Sequence, residues 1–178
     1  LEYNKRKDGQ VLDFVDFVTH PEEYESDFER FTKVSDIYFA GHFHANNAPM
    51  ILTKEMLNAS DCKLKVVADI SCDVNGPIAC TVRSSTIAEP LYGYFPLEDR
   101  EVDFFHPAAV AVMAVDNLPC EIPKDASEGF GEQFMEHVIP AFFNGDKDGI
   151  LKRAKITENG KLTERFSYLQ DYVDNGEL

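Results

Sequence analysis

Two apolar runs constrain this chain more tightly than anything else in it. Val66-Val67-Ala68 flows into Asp69-Ile70-Ser71-Cys72-Asp73 and then into Asn75-Gly76-Pro77. A second run of mostly small apolar residues, Ala108 to Val115, ends in Asp116-Asn117-Leu118-Pro119. Short runs without polar alternation suit strands of a sheet covered on both faces. The polar residues at the end of each run turn the chain and leave carboxylates, a thiol and an amide at the strand ends.

The residues before the first run supply further parts of such a sheet. Ser35 to Phe43 reads as a short strand closing on Gly41. Pro21 sits where a helix first turn would be, with Glu22 and Glu23 near its positive end and Tyr24, Phe28 and Phe31 at helical spacing. Thr53 is a candidate N-cap for a short helix. Lys5 to Gly9 reads as a loop, and Val11 to His20 as extended or irregular. Up to Ser71 the order is therefore helix, strand, helix, strand, half of an open α/β sheet with parallel strands.

Beyond Gly76 the pattern changes. Gly76 to Val82 predicts another short strand, whereas Ser85 to Pro96, holding Pro90, Gly93 and Pro96, predicts irregular chain. The longest helix candidate runs from Pro123 to Gly145, capped by Asp125 or Ser127, with Phe130, Phe134, Val138 and Phe142 as a core-facing stripe. Pro140 should kink its end and Gly145 stop it. A strand edge, an Asn159-Gly160 turn and a closing helix come last, with Leu162, Phe166, Leu169 and Val173 facing inward.

Composition removes some functions. The 178 residues hold 32 acids against 17 bases, a net charge of −15. That field repels phosphate backbones and anionic membranes, so neither nucleic acid nor membrane is an expected partner. There is no apolar run of membrane-spanning length and no signal-like opening. Cys62, Cys72, Cys80 and Cys120 show no C-x-x-C spacing, which fits reduced thiols and a cytoplasmic location. The opening residues, without Met, read as the middle of a longer protein.

Ligands of an open parallel sheet bind in the crevice outside the carboxyl ends of its strands. Asp69, Ser71 and Asp73 end one strand, Asn117 another, and Gly41-His42-Phe43-His44 a third. The plainer alternative is that Asp69 and Asp73 cap the turn before Asn75-Gly76 through their side chains.

The stretches "VVADISCDVNGPIACTVRSSTIAEPLYGY" and "AVDNLPCEIPKDASEGFGEQFMEHVIPAF" together resemble the C-terminal half of the lysine–ketoglutarate reductase/saccharopine dehydrogenase group. That group lies within the alanine dehydrogenase and nicotinamide nucleotide transhydrogenase superfamily. The marks are Asp-Ile-Ser-x-Asp with Gly soon after (Asp69 to Gly76), then Asp-Asn-Leu-Pro (Asp116 to Pro119), with Pro123 and Ser127 opening a helix. "HPEEYESDF" and "KLTERFSYLQDYV" are similar to other segments of the group.

The resemblance implies an NAD- or NADP-dependent oxidoreductase acting on an amino-acid C–N bond, with an amino acid and a 2-oxo acid as substrates. Residues 1–76 would be the C-terminal part of a Rossmann-type, doubly wound parallel sheet. Residues 77–178 would return into the substrate domain. Asp73 matches the acidic residue beside the nicotinamide and the reacting centre. Ile70 and Leu118 match cofactor contacts, and Asn117 matches an Asn that reaches the substrate carboxylate. Asp69 and Cys72 are expected to be structural.

No G-x-G-x-x-G occurs in the sequence, and Gly129-Phe130-Gly131 lies in a helix-like stretch. The group's proton-transfer Lys and His belong to an N-terminal domain, and none of His20, His42, His44, His106 or His137 falls in a matching motif. The chain alone is therefore expected to be inactive, and two copies are expected to pair if apolar surface is left uncovered. Two other readings stand beside this one. His42 and His44, two residues apart, could begin a metal site, though no third ligand has diagnostic spacing. Alternatively, the chain is a non-enzymatic interaction or regulatory module that keeps the fold.

Overall fold

The computed structural model describes residues 3–42, 44 and 48–176. It divides into two compact units, one ending at Glu121 and the other beginning at Ile122. In the first unit, β1 (Asn4–Arg6) is followed by α1 (Phe14–Thr19) and β2 (Tyr24–Ser26), which pairs antiparallel with β1. Two expectations fail here. Lys5 to Gly9 begins as a strand, and Val11 to His20 holds a helix that the Asp13 carboxylate caps by accepting from the Asp16 N–H at 2.9 Å. The helix expected from Pro21 is only a single 3₁₀ turn, Pro21–Glu23. Tyr24 instead enters β2 with its ring edge-on to Phe17 at 5.1 Å, its hydroxyl donating to Asp16 at 2.6 Å.

After α2 (Glu29–Thr32) come β3 (Ile37–Ala40), α3 (Lys54–Asn58) and β4 (Val66–Asp69). The Thr53 hydroxyl accepts from the Met56 N–H at 3.3 Å, which makes it the N-cap of α3 as the sequence suggested. β5 (Leu91–Phe95), β6 (Arg100–Val102) and β7 (Val110–Met113) complete a five-stranded sheet in the order β3-β4-β7-β5-β6. Its first three strands are parallel, and β5 and β6 run antiparallel, so the sheet is mixed. Val67, Val112, Tyr94 and Ala40 are fully buried, and Ile78, Leu52 and Cys80 pack with them.

Two strand assignments beyond Gly76 reverse. Gly76 to Val82 forms no strand, only an isolated bridge between Leu52 and Ile78. The stretch read as irregular contains β5, framed rather than broken by Pro90 and Pro96. Gly93 fits because a Cβ there would lie 2.5 Å from the Asp103 carbonyl oxygen, so the tight β5–β6 approach requires its absence.

The second unit opens with α4 (Pro123–Gln133), whose N-cap is Ile122 with Pro123 at its first position, earlier than the Asp125 or Ser127 cap expected. A π turn over Phe134–Val138 leads into α5 (Ile139–Phe143). The Ile139 N–H reaches back to the Phe134 carbonyl just before Pro140, which has no N–H to give. Gly145, at φ +74°, ends the segment. The expected core stripe is not buried: Phe130 is 71% and Phe142 60% exposed. α6 (Ile150–Ala154) precedes the hairpin β8 (Thr157–Glu158) and β9 (Lys161–Leu162), whose Asn159 and Gly160 both take positive φ, as a tight hairpin turn requires. The closing segment is a 3₁₀ stretch, Glu164–Leu169, and α7 (Gln170–Asn175). Leu162, Phe166 and Leu169 are half-buried there, but Val173 is 59% exposed. Among the described residues, no helix is long and apolar enough to cross a membrane.

Candidate functional site

Because β3, β4 and β7 are parallel neighbours, their carboxyl ends share one edge of the sheet. The sequence Asp69 to Gly76 leaves that edge through a tightly held turn. Asp69 is wholly buried: its Oδ1 accepts from the Cys72 N–H at 3.1 Å and its Oδ2 from the Thr81 hydroxyl at 2.7 Å. It pins the turn to the chain beyond it, and none of it faces solvent. The Asn75 N–H donates to the Thr81 carbonyl at 3.1 Å, and the Gly76 N–H to the Asp73 carbonyl at 2.9 Å. Cys72 and Asn75 sit at φ +58° and +56°, so the turn keeps a strained backbone where it presents Asp73.

Cys72 ties this turn to the neighbouring strand exit. Its thiol donates to the Ala114 carbonyl, 2.8 Å away just beyond β7. Burial pushes that thiol's pKa up, and Asp69, Asp116 and Asp73 push it further. Acids from both strand exits therefore act on one sulfur. On the other side, the Ser71 hydroxyl accepts from the His42 N–H at 3.1 Å and donates to the His42 carbonyl at 3.0 Å, joining the exits of β3 and β4.

The residues named from the sequence separate cleanly in this frame. Ile70, 49% exposed, and Asp73, exposed, stand free on the β4 exit. Asn117 is exposed after β7, with Leu118 half-buried beside it at the start of a 3₁₀ turn, Leu118–Glu121. Asp69 and Cys72 are bound into the turn. His42 and His44 meet edge-on at 6.4 Å, but His44 Nε2 lies 3.2 Å from the Pro49 carbonyl. No group of three metal-binding side chains occurs among the described residues. Phe43 and residues 45–47 of that segment lie outside the described residues.

One contributor, Thr81, escaped the sequence reading. Thr81 has no local signal, since its link to Asp69 spans twelve positions. His42 has a buried Nε2 without a hydrogen-bond partner, and burial lowers its basicity, with Asp69 and Asp73 opposing that shift. The place of His42 at a strand end was legible in the sequence, but the burial of its Nε2 was not.

This edge belongs to a chain homologous to the lysine–ketoglutarate reductase/saccharopine dehydrogenase group, as its Asp69–Gly76 and Asp116–Pro119 segments suggested. Its relatives include an alpha-aminoadipic semialdehyde synthase of Arabidopsis thaliana, 30% identical over 90% of this chain and 16% of the relative. The mitochondrial alpha-aminoadipic semialdehyde synthase of Mus musculus is 25% identical over 97% of this chain and 21% of the relative. The NAD(+), L-lysine-forming saccharopine dehydrogenase of Schizosaccharomyces pombe is 31% identical over 70% of this chain and 33% of the relative. The chain thus spans no more than a third of the length of these relatives. No family model matches it.

Proposed function

We propose that this chain is part of an NAD(P)-dependent oxidoreductase acting on an amino-acid C–N bond, of the saccharopine and lysine type, and that it is inactive alone. Residues 1–76 act as the C-terminal part of the nicotinamide-cofactor domain, a Rossmann-type arrangement. Residues 77–178 return toward the substrate domain. The boundary at Gly76 is one of role, since the sheet itself continues through β5, β6 and β7. The observation that carries this reading is the pair of exposed polar side chains, Asp73 and Asn117, at the exits of two adjacent parallel strands.

The residues fit the ring end of a nicotinamide cofactor. Ile70 offers an uncovered apolar face and Leu118 a half-buried one, while Asp73 gives a carboxylate to steer a positive ring or hold a reacting amine or water. Asn117 donates to a substrate carboxylate without adding charge. The cofactor, when bound, supplies the hydride chemistry. Its phosphates are assigned to no residue here, because the sequence holds no G-x-G-x-x-G. Cytoplasmic location stays part of the proposal, supported by four unpaired cysteines.

NADH and NADPH fluorescence titrations of the whole gene product, beside the 178-residue chain, test this reading. Binding by the product, weakened about tenfold or more in Asp73→Ala, supports it. Loss of a response to either cofactor in the product defeats it. The exposure of Phe130, Phe142 and Phe143 favours a second reading, an interaction module that docks or pairs through α4 and α5. Sedimentation of Phe130→Ser against the parent chain distinguishes a self-pairing face from an idle one.

A further inference from the structure

We propose that the outer edge of β3 pairs in parallel with a further strand of the same polypeptide, and that a helix joined to that strand covers the open face of the sheet. This rests on the reading of the chain as part of a longer oxidoreductase, which leaves most of that protein to supply both elements. β3 is one end of the sheet and, among the described residues, is bonded to β4 alone. The Asp36 carbonyl accepts from the Val66 N–H at 3.2 Å, and the Ala40 carbonyl from the Ile70 N–H at 2.7 Å. Backbone groups alternate sides along a strand, so those of Ile37 and Phe39 point away from β4, across an open edge.

The two ends of the sheet are built differently. β6, the far end, carries Arg100 and Glu101, paired with Glu98 and Arg83, and charges of this kind protect a strand that stays in water. β3 is Ile37-Tyr38-Phe39-Ala40, with no charge and no proline. Ile37 is 52% and Phe39 68% exposed. An uncharged apolar edge invites unwanted pairing unless another element covers it. A recess of about 430 Å³ runs along it, lined by Ile37 and Tyr38 from opposite faces of the strand, with Tyr3, Phe31 and Leu64 among others.

The faces of the sheet differ as well. Tyr38, Ala40, Val67 and Val112 point to the covered face, where the Phe28 ring lies 4.5 Å from that of Tyr38 and Leu57 of α3 joins the core. On the other face Ile37 lies opposite Val66 and Ala111, and Phe39 opposite Ala68 and Met113. These two apolar rows are least covered at β3, whereas parallel strands ordinarily have both faces covered. Right-handed crossovers decide which element can do this. Strands added from β3 toward β4 keep their helices on the face that holds α3, and strands added beyond β3 place theirs on the opposite one. One strand beyond β3, with its helix, therefore satisfies the open edge and the open face together. A second copy paired through β3 alone would leave the face open.

The test is hydrogen exchange of the Ile37 and Phe39 amides, read by mass spectrometry in the 178-residue chain and in the whole gene product. Both amides are expected to exchange freely in the short chain and at least about a hundredfold more slowly in the whole product. Phe39→Asp in the whole product should return them toward the short-chain rate, while Phe39→Leu should keep them protected; the comparison of the two parents stands even if Phe39→Asp fails to fold. Equal exchange in both parents, a gene product no longer than this chain, or protection that appears in the short chain as its concentration rises would overturn the proposal. Protection in a product that binds neither NADH nor NADPH would support this pairing while defeating the cofactor reading, so the two fail separately.

Discussion

Replacing Asp69 should cost stability far out of proportion to its size. The side chain has no solvent exposure and two donors aimed at it, the Cys72 N–H at 3.1 Å and the Thr81 hydroxyl at 2.7 Å. Asp69→Ala leaves both unpaired in a buried place, each costing about 1–3 kcal/mol, so the expected loss is about 2–6 kcal/mol. Asp69→Asn keeps an oxygen for one donor. The Thr81 hydroxyl can then rotate to accept from the new amide, so this variant should lose only about 1 kcal/mol. Thr81→Val strips one donor and leaves Oδ2 unpaired, a loss of about 1–3 kcal/mol, and the double variant should show a coupling of about 1–3 kcal/mol. Urea unfolding of each variant at unchanged m-value measures these losses. If Asp69→Ala costs less than about 1 kcal/mol, or no less is lost by Asn than by Ala, the turn is not held as described.

The same turn and its neighbours give further expected outcomes. Gly76→Ala would set a Cβ 2.7 Å from Asp73 Cβ and 2.8 Å from its carbonyl oxygen; a loss of about 1–3 kcal/mol in urea unfolding is expected, with displacement of Asp73 visible in its amide shift. Alkylation and then mass spectrometry should label exposed Cys120 first, Cys72 later because burial and three acids hold its proton, and Cys80 only on unfolding. Burial pushes the Cys80 thiol up to about 12 from an ordinary 9.0, so between those two pH values it stays neutral in the folded state and ionises in the unfolded one. The stability this contributes is complete below pH 9.0 and is lost as pH rises toward about 12, which alkaline denaturation of Cys80→Ala against the parent would reveal.

What the sequence disclosed was what periodicity and turn chemistry can disclose. β4 is an apolar run buried on both faces, β7 alternates buried and half-buried residues, Thr53 caps its helix, and Asn159-Gly160 turns its hairpin. β5 was hidden because Pro90, Gly93 and Pro96 are local breakers. Only the tertiary approach of Asp103 makes glycine the right residue at position 93. The helix expected after Pro21 failed for the opposite reason: Tyr24, Phe28 and Phe31 have helical spacing, but Tyr24 is claimed by β1, Phe17 and Asp16. Phe130 and Phe142 have core-like spacing yet lie exposed, since spacing fixes a face and not what covers it. At the candidate site, the division between buried Asp69 and exposed Asp73 depends on Thr81, a contact no short motif encodes.

The most direct measurement is nicotinamide binding by the whole gene product that contains this chain, as parent, Asp73→Ala and Asn117→Ala, with NADH and NADPH. The account predicts that the parent binds one of them and that Asp73→Ala weakens binding about tenfold or more. Asn117→Ala should leave cofactor affinity nearly unchanged and raise KM for the amino-acid substrate. A parent that binds neither cofactor, or an Asp73→Ala protein that binds and turns over as the parent does, would contradict it.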